Sequence, residues 1–147
     1  MILTCHFLVG AVITSKIKFL PLAFLLAFLS HYFLDFIPHC EYSFENIKER
    51  RWKNSFSDFL KVALDTSLGV LLIFIFSKNW PVAVVGGFFA ILADGPMFIN
   101  LIFPNKLLKI FEDFHQKIHY PKGKKISFFW RIFSQLVIAL IAIFFLR

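Results

Sequence analysis

His31 and Asp35 stand four residues apart, about one helical turn, so their side chains leave the same face of a helix. Imidazole nitrogen and carboxylate oxygen are a usual donor set for zinc and related transition metals. With His6, His39, Asp65, Asp94, His115 and His119 they form a set of five histidines and three aspartates, in or beside strongly apolar stretches. Ionisable groups are costly in hydrocarbon, so several on separate segments should meet each other, a metal ion or a polar cavity. Gathered carboxylates would also repel one another unless a cation neutralised them. Eight donors exceed the four of one tetrahedral zinc ion. That leaves room for two ions, or for carboxylates that orient the histidines. Zinc is the first candidate and manganese the second.

The elements that must carry these residues follow from the composition. Apolar residues make up 59% of the 147, Phe alone occurs 22 times, and charges reach only 17%. The apolar residues fall in blocks at 20–38, 59–77, 81–103 and 126–146. Each is close to the roughly 20 residues that span a hydrocarbon core. The expected architecture is all-α: a single membrane-embedded domain over 1–147, with four transmembrane helices. A half-length N-terminal helix at 2–14 should pack on the bundle. An amphipathic interfacial helix should occupy 105–119, with Glu112, His115 and His119 on one flank of its apolar arc. Pro38 should end or kink the first long helix. Asp94-Gly95-Pro96 should bend the third inside the membrane, where protein or water must satisfy the freed backbone.

Depth can be counted from helix ends. His6, His31, Asp65 and Asp94 lie ten to thirteen residues from the poorly charged side. At about 1.5 Å per residue, that puts all four some 15–20 Å below one surface. Asp35, His39, His115 and His119 lie nearer the other side. The connections at 40–58 and 105–125 share that other side and hold ten Lys or Arg residues, against four opposite. The positive-inside rule places them in the cytoplasm, with the metal site nearer that face. The net charge of +7 sits in these connections and suits anionic head groups. No nucleic-acid motif accompanies it, so nucleic acid is not an expected partner. Cys5 and Cys40 form no CxxC pair and read as small buried hydrophobes. The N-terminal stretch lacks a basic n-region and a small-residue cleavage site, and reads as retained structure.

Each donor also has a plainer reading. Asp65 could pair with Lys61 one turn earlier or with Arg131 on the last helix. Asp94 could cap the helix restarting at Pro96. His115 and His119 could be interfacial histidines, and His6 a core histidine. Glu41 is a reserve ligand beside His39, while Glu45 and Glu49 belong to a solvated, salt-bridged face. Arg131 could bind an anionic group such as phosphate, or snorkel to the interface.

His6-x-x-x-Gly10 is followed by Ser30-His31-Tyr32-Phe33-Leu34-Asp35-Phe36-Ile37-Pro38-His39, then Asp65, Asp94 and His115-x-x-x-His119. This series resembles small bacterial membrane proteins with HxxxG and SHxxLDxxPH segments, lone helical aspartates and a late HxxxH. It is distantly similar to the membrane-bound metal-dependent hydrolases. These in turn are similar to the zinc-dependent phospholipase C and S1/P1 nuclease group, which cleave phosphodiesters with zinc ions held by helices. The resemblance implies a bacterial inner-membrane hydrolase of a phosphoester, lipid or lipid-linked substrate. His6, His31, His39 and Asp35 would be the first-choice metal ligands. Asp65 and Asp94 would be ligands or general base, and His115 and His119 would complete the site or protonate the leaving group. The second expectation is non-catalytic: the same residues as a structural metal site or a polar network between helices. An ion or proton pathway would spread the polar groups across the membrane, whereas these gather at one depth.

Overall fold

Prolines mark the starts of three helices in the computed structural model, which describes residues 1–40, 44–49, 51–119 and 127–147. Pro21, Pro81 and Pro96 each occupy a first-turn position, where the missing N–H costs no hydrogen bond. The described residues are helical, without strands. They form α1 (Leu3–Lys16), α2 (Leu20–Asp35), a short α3 (Glu45–Lys48), α4 (Phe56–Phe76), α5 (Trp80–Ile91), α6 (Gly95–Ile102), α7 (Lys106–Ile118) and α8 (Phe128–Leu146). A 3-10 turn, Leu92–Asp94, joins α5 to α6. The interruption expected at Asp94-Gly95-Pro96 takes the form of this 3-10 turn.

Among the described residues three helical stretches, not four, are long and apolar enough to cross a membrane: Trp52–Phe76, Trp80–Ile102 and Phe128–Leu146. The expected first span stops short, because α2 ends at Asp35 after 16 residues. That is about 24 Å of helix against a core of about 30 Å. Ile37 precedes a proline and is steered away from the helical region, so the chain turns out as the Ile37 amide bonds the Leu34 carbonyl. Large apolar side chains cover the exterior, among them Leu25, Phe33, Leu64, Leu71, Leu140 and Phe144. Such a surface fits a lipid surround.

The half-length α1 lies inside the bundle, packed against α2, α4, α5 and α8, not on its outside. Phe7, Leu8 and Ala11 are fully buried with Ile73 and Ala83. The approach to α5 depends on Gly10 and Gly86. A Cβ on either would strike the other's carbonyl oxygen. A Cβ on Gly69 or Gly87 would press on Phe7.

A buried helix start leaves amide groups that need partners. Asp65, on α4, takes the Leu3 amide at 2.5 Å, the Thr4 amide at 3.2 Å and the Thr4 hydroxyl. Gln135, on α8, takes the Ile2 amide at 3.1 Å. Asp65→Ala strands these donors, each worth about 1–3 kcal/mol when buried without a partner. Its expected result is a clearly lower melting temperature in detergent with metal stoichiometry unchanged. Loss of metal at full thermal stability would instead make Asp65 a ligand.

Candidate metal centre

Asp35 is the hub of the site. Its side chain is 2% exposed, and its two oxygens are approached by all five histidines of the chain. His31 Nε2 lies 2.9 Å from Oδ2, His119 Nε2 3.2 Å and His115 Nε2 3.4 Å. His6 Nε2 lies 3.2 Å from Oδ1, and His39 Nε2 lies 3.9 Å from it. The Met1 amino nitrogen is also 2.9 Å from Oδ1.

Four donors close into one group: His31, Asp35, Asp94 and His115, with their atoms within 4.8 Å of one another. Asp94 comes from the 3-10 turn between α5 and α6, and His115 from α7. Four edges of this figure run from 2.9 to 3.5 Å: His31 and His115 to Asp35, and the same two to Asp94 at 3.3 and 3.5 Å. A tetrahedral zinc with ligands at about 2.0–2.2 Å has edges of roughly 3.3–3.6 Å. Three of these edges fall in that range, and the His31–Asp35 edge is shorter. A second group, Asp35, His39 and His119, shares the central carboxylate.

Protonation supports the same fit. His31 Nδ1 is 2.9 Å from the Ala90 carbonyl oxygen, which only accepts, so Nδ1 carries a hydrogen. A neutral ring then presents a bare Nε2 toward the site. That nitrogen sits close to Asp35 Oδ2 yet makes no hydrogen bond. His39 is held likewise, with Nδ1 2.6 Å from the Ile37 carbonyl oxygen. Backbone carbonyls that fix the tautomer of a ligating histidine are the usual outer support of metal sites. His115 and His119 bring their Nε2 atoms within 2.8 Å of each other.

Other expected donors stand elsewhere. His6 stacks on His31 with ring centroids 4.2 Å apart, outside both groups, although its Nε2 reaches Asp35. Asp65 caps α1 as described above and is in neither group. Lys61, the Asp65 partner considered from the sequence, pairs with Asp58 at 3.4 Å. Asp94 makes no capping bond to α6. Arg131 is exposed and does not enter the site. Glu41 and the basic loop at 120–125 lie outside the described residues. Sequence reasoning missed Gln135 and Thr4. Gln135 had a usable signal, being a lone amide in the apolar run of α8.

The ligands differ in access. His31, Asp35 and His115 expose at most 3% of their side chains, whereas Asp94 exposes 26% and His119 12%. Those two line a cavity of about 570 Å³ walled by Leu3, Val62, Ile91, Phe98 and Leu101, with Glu112 and Gln116 on one side. Asn100 donates to Glu112 at 2.6 Å and steadies that wall. The volume lies in the range of small-molecule sites, about 300–1,000 Å³.

Comparison with known proteins returned no matching family model, curated protein or solved structure.

Proposed function

We propose that the chain is a membrane-bound metal-dependent hydrolase of a phosphoester, most simply a lipid or lipid-linked one. One observation carries the reading: the two accessible members of the buried His/Asp cluster, Asp94 and His119, open onto a cavity with mostly apolar walls. A substrate with an apolar part and a polar linkage fits such a place.

In this reading His31, Asp35, Asp94 and His115 hold one ion, zinc or manganese. Asp35, His39 and His119 offer a second position, with Asp35 shared. If the ion took a water as a fifth ligand beside these four donors, it would lower that water's pKa and offset charge developing on a phosphoryl group. The chain's own residues do the rest. The Ala90 and Ile37 carbonyls fix the two imidazoles, and the apolar part of the cavity wall offers a place for the apolar part of a substrate. Asp94 meets the substrate side, where a carboxylate can take a proton, and His119 stands where an imidazole can give one. The charge asymmetry of the connections supports a cytoplasmic orientation for this face, and the resemblance of the motifs supports a bacterial inner membrane.

The test is a screen of phospholipids, lipid-linked phosphates and generic phosphodiesters with metal-loaded protein, wild type beside Asp94→Asn. Turnover by the wild type, cut by about 100-fold or more in the variant, supports the reading. No turnover of any phosphoester by protein with stoichiometric metal overturns it.

The non-catalytic reading has its own observation: Asp35 draws together groups from α1, α2 and α7. It predicts that His31→Ala lowers the melting temperature in detergent; unchanged melting would remove it.

A further inference from the structure

The helix that delivers His115 has three faces, and the enzyme reading uses only one. His115 is buried, and with Leu108, Glu112, Gln116 and His119 it makes the inward sector of α7 and its C-cap. On the outside, Leu107, Ile110, Phe111 and Phe114 are 51–65% exposed. Lys106, Lys109 and Lys117 are also exposed and form a third sector, with one acidic residue, Asp113, 3.5 Å from Lys109. Thirteen residues are too few to span a bilayer. An apolar sector bordered by lysines is the pattern of a helix lying in the head-group plane. Three lysines against one aspartate select an anionic surface, each cation near it adding attraction.

The seat of α7 on the protein is narrow. It packs mainly on α6 and meets α2 mostly around the site, where Tyr32 lies between Phe114 and His115 with ring centroids 6.0 and 5.7 Å away. The outward sectors are therefore left uncovered by the protein, while the inward one carries ligands of both donor groups.

We propose that α7 is a sensor of anionic lipid: its apolar and lysine sectors seat on an anionic bilayer surface, and this seating holds His115 and His119 in the metal site. Metal affinity then depends on lipid charge. The inference rests on the metal-site part of the proposed function but not on hydrolysis.

The experiment uses the full chain in nanodiscs of phosphatidylcholine alone, or of equal parts phosphatidylcholine and phosphatidylglycerol. Zinc affinity is read by chelator competition, and the depth of a probe at Ile110→Cys, on a Cys40→Ser background, by lipid-borne quenchers. The expected result is zinc bound about tenfold tighter in the anionic discs, a coupling of ordinary allosteric size. The probe should lie at the acyl boundary. Lys106→Gln/Lys109→Gln/Lys117→Gln should remove the gain while keeping the affinity seen in phosphatidylcholine. Equal zinc affinity in both discs overturns the proposal, as does a probe at Ile110→Cys that stays in water or cross-links to a second copy. No zinc in either disc overturns it together with the metal-site reading. Lipid-dependent zinc binding without any phosphoester turnover would leave this inference standing and remove only the hydrolase.

Discussion

Asp35→Ala protein purified in detergent is expected to carry metal only at background level, beside stoichiometric metal in the wild type. The carboxylate belongs to both donor groups, so its loss leaves His31, Asp94 and His115 as one incomplete set and His39 and His119 as another. Neither retains the four ligands of a closed site. Mass spectrometry of the purified protein checks this, with His31→Ala/Asp35→Ala alongside. The same change should lower stability. Removing the anion from a buried charged cluster typically costs about 3–5 kcal/mol. A folded Asp35→Ala protein with undiminished metal would remove Asp35 from the centre of the site. If folded wild type took up no metal even when it was supplied, the cluster would be a polar helix-packing network.

Gly10→Leu is expected to disable the site from a position that is not a ligand. A Cβ at residue 10 lands on the Gly86 carbonyl, with the Ala90 methyl beside it. Backbone cannot step aside as a side chain can, so the cost should exceed the roughly 1–3 kcal/mol of ordinary overpacking. His6 lies one turn before Gly10 on the same face, stacked on His31. Pushing α1 away from α5 therefore separates the two rings and loosens the Ala90 support behind His31. The expected outcome is loss of metal with a melting temperature well below wild type. Ser15→Leu, at the exposed end of the same helix, should change neither. A Gly10→Leu protein that melted and bound metal as wild type would show that α1 and α5 need not approach so closely.

The HxxxG motif thus has a packing explanation that spacing alone does not supply. What the sequence displayed well was chemistry carried along one helix. His31 with Asp35, His115 with His119, and the interruption at Asp94-Gly95-Pro96 can all be read from local periodicity and proline geometry. Their meeting was legible too, since polar groups at one depth in apolar segments have few places to go. What it hid was arrangement across helices. A short apolar segment reads the same whether it lies outside a bundle or at its centre, so the buried position of α1 was missed. The length of α2 was overestimated because hydropathy continues through Phe36 and Ile37 after the helix has ended. An aspartate in an apolar helix also reads the same whether it faces a metal or a neighbour's amides. Asp65 was therefore indistinguishable from Asp94 until its partner, the start of α1, was in place.

That start has a consequence for the order of assembly. The first amides of α1 are satisfied by Asp65 of α4 and Gln135 of α8, both synthesised later. Hydrocarbon offers such amides no substitute. A half-length helix with those amides unpaired is poorly placed in hydrocarbon, so α1 is expected to take its final seat only once α4 and α8 are present. A segment made before α4 and α8 is thus seated after them. His6 and the close packing against α5 arrive with it, so the centre cannot reach its final form until the α8 helix has been threaded.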